Sequence, residues 1–221
     1  MKYISKTNEP EVLANFKAQA NDDWQPSYEL LRGKDKQQFH HHLIAEQGHI
    51  CCYCGERIVT SDSHIEHFQP QTEYPHLELD YFNLISSCQQ KIQPKEPRHC
   101  GMGKGDWFDA ELLVSPLIAD CEEFFEYTAI GEILPSRVPE KAERAEKTIE
   151  KLRLNIPKLQ AVRAGAIDSI YGDPDLQLPL ADDEIDKLIH YYSHIDNDGK
   201  YQPYCQSIVY LLKQEKIDRS K

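Results

Sequence analysis

Four cysteines, Cys51, Cys54, Cys88 and Cys100, constrain this chain more than any other feature. Cys51 and Cys54 are separated by two residues and followed by Gly55, a spacing that lets a tight turn present both sulfurs to one zinc ion at about 2.3 Å. Cys88 and Cys100 complete a four-sulfur tetrahedron, so the chain between residues 51 and 100 has to close on one point. The segment from Gln89 to His99 then bulges as a loop. Seven cysteines are an odd number and do not suggest a disulfide framework. The first residues, Met1 to Asn8, lack the apolar centre of a signal peptide, and no apolar run approaches roughly eighteen residues. The expectation is a cytoplasmic protein with reduced thiols and no membrane span. Cys52, Cys121 and Cys205 read as core or surface thiols, Cys52 lying on the wrong side of the turn to share the ion.

Between the two halves of the cysteine frame stand Glu66-His67 and, further on, Asn83. A neutral imidazole is a suitable base near pH 7, and a carboxylate is a hard-oxygen ligand suited to Mg²⁺ or Mn²⁺. Neighbouring residues on a strand point to opposite faces, so Glu66 can meet a metal while His67 meets a water. Asn83 can hydrogen-bond backbone across the connecting loop and fix the angle of His67. Together these types suit phosphodiester hydrolysis, in which a base activates water and a divalent cation neutralises phosphate charge.

The flanks read as helical. Pro10 opens a first helix with Val12, Leu13, Phe16 and Ala20 as its apolar stripe. A second is expected from about Ser27 to Gln47, weakened or split at Gly33 and stopped by Gly48, with Tyr28, Leu31, Phe39, Leu43 and Ile44 inward. His40, His41 and His42 lie within it and cannot all bind one ion. From Ile50 to Trp107 the texture changes to turns and short β-prone runs at 57–60 and 65–68, and after Leu112 it is helical again. Further helices are expected up to Leu154, from Leu159 to Gly172, over 183–192 and over 203–213, with a surface loop from Gly172 to Pro179. The fold class is therefore α+β and mostly helical, with a small zinc-stapled ββα module at 50–110 between helical segments at 1–49 and 111–221.

Charge limits how such a protein meets DNA. With 37 acidic residues against 25 Lys and Arg, the formal charge is −12. Between Asp106 and Ser136 there are eight acids and no Lys or Arg. Phosphate contacts dominate nucleic-acid affinity, so an acidic chain needs a local basic patch or a partner that supplies the grip. The basic patch nearest the proposed site is Lys91, Lys95 and Arg98, against Glu96.

Residues Cys51 to Lys104 resemble the HNH endonuclease superfamily, whose pattern is a Cys pair, an acid-His dipeptide, Asn-Leu, a second Cys pair and a Lys. The phrases Gln47 to Gly55, His64 to Pro70, Tyr74 to Leu77, Asp80 to Leu84 and His99 to Gly101 resemble the HNH effectors of the Septu and retron antiphage systems, the PtuB family. Similarity continues through 113–117 and 131–134, so it covers roughly residues 10 to 170. It implies a DNA endonuclease working with an ATPase of the ABC/SMC type. Carried over by position, Glu66 is the metal-binding acid, His67 the general base and Asn83 the loop-ordering residue. Cys51, Cys54, Cys88 and Cys100 are the zinc ligands, and Lys104 joins Lys91, Lys95 and Arg98 as a contact to nucleic acid. Many HNH proteins place a metal-binding His directly after the last Cys, and here that residue is Gly101. His99 and Asp106 are the replacements considered, with His64 behind them. His99 is favoured for its adjacency to the zinc corner, whereas Asp106 could instead cap a helix beginning at Trp107.

Two other classes compete with this reading. A catalytically silent zinc-stabilised binding module would explain Gly101 as a broken metal site. A thiol oxidoreductase using Cys51 and Cys54 would need a titratable thiolate and no tightly held zinc, and the βαβ setting of such redox pairs is absent from the pattern.

Overall fold

The computed structural model describes residues 1–172 and 179–220. It is a mostly helical α+β fold in which two short antiparallel β-hairpins are set among helices. Pro10 caps α1 (Glu11–Lys17), whose Leu13 and Phe16 are buried. The second helix, α2 (Gly33–Glu46), is shorter than its periodicity suggests. It opens at Gly33, which adopts φ +57, so the glycine starts the helix and leaves residues 27–31 as turns. Gly48 at φ +61 ends it, and the Tyr201 ring packs so closely there that a Cβ would lie 2.4 Å from it.

The central hairpin pairs β1 (Ser63–His67) with β2 (Leu84–Cys88) in antiparallel register, Ser63 opposite Cys88 and His67 opposite Leu84. The β-prone run at 57–60 forms no strand; Arg57 makes only an isolated bridge to Ile50. One face of the hairpin lies on α2. There His40, at 8% exposure, places Nε2 3.0 Å from Ser86 Oγ and 3.1 Å from Ser63 Oγ, so one imidazole ties the helix to both strands. His42 reaches Tyr81 OH at 3.2 Å, while His41 is exposed. The other face carries α3 (Cys100–Lys104), completing a ββα unit. No helix begins at Trp107; the chain runs on from there through turns, which removes the helix that Asp106 was expected to cap.

A second hairpin, β3 (Phe125–Tyr127) with β4 (Ile133–Pro135), follows in a region whose sequence reads as helical. These strands are three residues each, too short for a period of two to show. Gly131 at φ +77 makes their turn, and a Cβ there would lie 2.0 Å from Gln160 O. Buried Arg163 donates to Gly131 O at 2.7 Å and Leu154 O at 2.8 Å, fastening the turn to the helices beyond. Those helices are α4 (Pro139–Lys151), α5 (Pro157–Tyr171), α6 (Asp182–Ser193) and α7 (Cys205–Arg219). Most of the loop expected from Gly172 to Pro179 lies outside the described residues.

The main core joins Met1 and Ile4, the cysteine corner, Ile85, Phe124, Phe125 and Leu152 to Leu159. A second cluster packs Leu13, Phe16, Phe39 and Leu43 against Ile65, Tyr81 and Leu84, so α1 and α2 brace the back of the hairpin. The third unites α5, α6 and α7 through Ile167, Ile185 and Ile208. No helix among the described residues is long and apolar enough to cross a membrane.

Candidate active site and metal corner

The four cysteines of the sequence frame converge. All of Cys51, Cys54, Cys88 and Cys100 are buried, and their sulfurs lie within 4.8 Å of one another. Cys54 Sγ and Cys88 Sγ are 3.8 Å apart. Four sulfurs arranged tetrahedrally at 2.3 Å from zinc stand about 3.8 Å from each other, so this donor set fits the ion in size as well as chemistry. Burial pushes the Cys51 thiol up, but hydrogen bonds from Cys100, Cys52, Cys54 and Cys88 overcome it and hold that group well below the usual thiol range. Cys88 and Cys100 are pushed well above it. Cys100 reaches the cluster from a left-handed backbone, φ +54, anchored by its N–H to Leu152 O at 2.8 Å. Cys52, Cys121 and Cys205 are buried outside the four-sulfur group.

His99 belongs to this corner. It is fully buried, its Nδ1 lies 3.1 Å from Cys100 Sγ and 3.8 Å from Cys88 Sγ, and its Nε2 has no hydrogen-bond partner among the described residues. The same ring also forms a group with Glu56 and Cys88, their ligand atoms within 4.8 Å of one another. Its neighbours are sulfurs, whereas those of Glu66 are His64, Lys104 and Tyr53. Asp106 is exposed.

Strand alternation sends Glu66 and His67 to opposite faces, and each meets a different set of partners. Glu66 turns toward α3 and is 7% exposed. Its Oε2 lies 3.2 Å from His64 Nε2, and its Oε1 takes Lys104 Nζ at 3.1 Å and Tyr53 OH at 3.4 Å. Gly101 makes room for this arrangement. A Cβ at Gly101 would sit 2.4 Å from Glu66 Oε2 and 2.8 Å from His64 Nε2, so the helix backbone is pressed onto the pair. Lys104, 5% exposed, does not reach into solvent. Its ammonium also contacts the carbonyls of His67 at 3.2 Å, Phe68 at 3.3 Å and Gly105 at 3.2 Å.

On the other face His67 Nε2 is 3.1 Å from Glu78 O. A carbonyl can only accept, so Nε2 carries the proton and Nδ1 keeps the free lone pair. Tyr28 packs edge-on against the imidazole at 4.5 Å between centroids and 82° between planes. Burial lowers the His67 pKa; the hydrogen bond to the Glu78 carbonyl and the Glu66 charge oppose this only in part. The ring is therefore neutral near pH 7. Asn83 holds the loop that follows β1. Its Oδ1 accepts from Gln69 N at 2.8 Å, and its Nδ2 donates to Gln69 O at 3.0 Å and Leu77 O at 3.3 Å.

Lys91, Lys95 and Arg98 are exposed on the loop beyond β2, and the loop is pinned by Glu96 to Lys158 at 2.6 Å. The acidic stretch is less bare than its sequence suggests. Glu122 pairs with Lys2, Asp120 and Glu123 with Lys141, and Glu126 with Arg137. Each cation comes from outside the segment counted, which is why a local charge count overstated the field. These acids line an open cavity of 780 Å³ between the N-terminal residues, β3 and α7.

His64, Tyr53, Glu78 and Tyr28 are the partners that sequence reasoning ranked low or missed. His64 had a usable signal, since it stands two residues before Glu66 and so shares its face of β1. The other three arrive from distant segments and carry no local signature.

No protein-family model matches the chain. It is similar to the candidate HNH endonuclease of retron Ec83 from Escherichia coli, at 24% identity over 200 residues, covering 74% of this chain and 78% of that protein.

Proposed function

We propose that this chain is a metal-dependent HNH endonuclease that hydrolyses DNA phosphodiester bonds. One observation carries the reading: adjacent residues of one strand present a carboxylate paired with a histidine on one face and a neutral, oriented imidazole on the other. Glu66 Oε2 and His64 Nε2, 3.2 Å apart, would together hold Mg²⁺ or Mn²⁺. His64 thus takes the part first given to His99 or Asp106. An ion held there would supply charge neutralisation at the scissile phosphate and leaving oxygen. His67 Nδ1 takes a proton from the attacking water as the new P–O bond forms and the bond to the leaving oxygen breaks. The Glu78 carbonyl, accepting from Nε2–H, steadies the imidazolium so produced. Tyr28 packs against the imidazole, and Asn83 holds the loop that follows β1. Lys104 engages Glu66 Oε1 and leaves Oε2 aimed at His64. The four-cysteine corner holds Zn²⁺ and fixes α3 against the hairpin.

The retron setting of the relative, with the family phrases read in the sequence, supports a role in antiphage defence beside an ABC/SMC-type ATPase. The lone chain, at −12, binds DNA weakly, and the acid-lined cavity is the face offered to that partner. Reversing Lys91, Lys95 and Arg98 to Glu is expected to cost cleavage more than partner binding, and reversing Glu122 and Glu123 the opposite.

The test is plasmid nicking with Mg²⁺ or Mn²⁺ by wild type and His67→Ala, alone and with the ATPase. General-base loss should cost about 10²–10⁴-fold in rate with the fold kept. Undiminished nicking by pure, folded His67→Ala would refute the assignment. No nicking by wild type under any of these conditions would favour the silent zinc-stabilised module.

A further inference from the structure

An acidic nuclease needs a cation beside its base, and the basic residues already named do not provide one there. The Lys104 ammonium is consumed by Glu66 and three carbonyls, while Lys91, Lys95 and Arg98 stand on the loop past the zinc corner. On the opposite side, Lys36 of α2 places Nζ 4.0 Å from the centroid of the Tyr28 ring. That ring abuts the His67 imidazole at 4.5 Å, so the ammonium lies no more than 8.5 Å from the base. Tyr28 is itself held by Glu78, whose Oε2 accepts from Tyr28 N at 3.0 Å while its carbonyl takes His67. One acidic residue thus fixes both the base and the ring that carries the cation. Lys36 is half-buried, and among the described residues no carboxylate forms an ion pair with it. Tyr28 directs the charge without neutralising it.

We infer that Lys36, seated on Tyr28, is a phosphate subsite for the nucleic-acid strand whose neighbouring phosphate is cleaved at His67. This rests on the nuclease reading of His67. That upper bound is at most about two and a half nucleotide steps of about 3.4 Å axial rise, so the subsite receives a phosphate within about two nucleotides of the scissile one. Its ligand class is the nucleic-acid backbone, read by charge without base identity. A stem packed on an aromatic ring is also a common way to bury methylenes. Lys36→Met keeps that packing and removes only the charge, so it separates the two roles.

The experiment measures DNA binding by the full chain against salt concentration, using a short duplex, together with plasmid nicking in Mn²⁺. Lys36→Met should reduce the slope of log affinity against log salt by about 0.9 and raise KM about tenfold, with the melting temperature unchanged. Lys36→Arg should restore both. If wild type cuts, His67→Ala does not, and Lys36→Met matches wild type in slope and KM, the subsite is refuted and the nuclease reading stands. If wild type never cuts, alone or with the ATPase, but Lys36→Met still flattens the salt slope, the phosphate contact stands and the nuclease reading falls. Absence of any duplex binding by wild type at low salt also overturns the subsite.

Discussion

Glu66 Oε2 lies 3.2 Å from His64 Nε2, two residues back on the same strand, and the backbone of Gly101 closes over both. Gly101 holds the position at which the resemblance read in the sequence would place a histidine. A histidine at 101 and the present pair cannot coexist without one of them moving.

Gly101→Ala should therefore damage the metal site while sparing the zinc corner. The added methyl meets Glu66 Oε2 at 2.4 Å, a distance real Cβ atoms do not keep, and Lys104 and Tyr53 limit how far the carboxylate can retreat. The expected result is Mn²⁺ affinity lowered at least about tenfold by calorimetry, with zinc content unchanged. His64→Ala should do the same, since an ion would lose one of two protein donors. Wild-type Mn²⁺ affinity in both variants would remove His64 from the ligand set.

The pH profile of cleavage follows from the base. Burial lowers the His67 pKa from its ordinary value near 6.5, so the active, neutral form persists to lower pH than in an exposed histidine. The rate should be flat from about pH 6.5 to 8 and fall only below that range. An acid limb centred above about pH 7 in single-turnover nicking would contradict a buried, neutral base.

On the proposed reading, a zinc ion in the four-cysteine corner holds the module together. Cys54→Ser or Cys100→Ser should abolish stoichiometric zinc, against one ion per chain in wild type, and lower the melting temperature by roughly 10 °C, equivalent to about 3 kcal/mol in a chain of this size. Cys52→Ser is the control, since its sulfur lies outside the four-sulfur group. Elemental analysis and thermal melts decide the matter, and full zinc in Cys100→Ser would eliminate the four-sulfur site.

His40 makes stability depend on acid. Desolvation, with His64, His41 and Lys36 adding to it, lowers its pKa to about 4, so the folded protein holds it neutral where the unfolded chain protonates it. The unfolded state then binds more protons between about pH 6.5 and 4, and stability falls as pH falls through that window. The loss approaches about 3 kcal/mol for this one group. Denaturant unfolding of His40→Phe across the same window should show a shallower decline than wild type. Parallel curves would mean that His40 is not the group responsible.

Much of this site was legible before any coordinates. The cysteine spacing, the Glu66-His67 dipeptide and Asn83 identify their chemistry because each role demands particular atoms at short range along the chain. Some helix bounds were legible too, at Pro10 and Gly48, since caps and breakers act on their own backbone, whereas the start of α2 at Gly33 was not. Tertiary structure decided which groups complete each role. His99 has the right chemistry for a metal but is turned among sulfurs, and Lys104 looks like a strand contact yet is buried against Glu66. Lys36 comes to stand beside a base thirty-one positions away only because α2 packs on the hairpin. The sequence alone determined the inventory of candidate ligands, candidate base and helix breakers, because those follow from side-chain chemistry and local backbone preference. Pairings between distant charges, and the direction a buried side chain faces, depend on packing among segments far apart in the chain, and only the folded structure settles them.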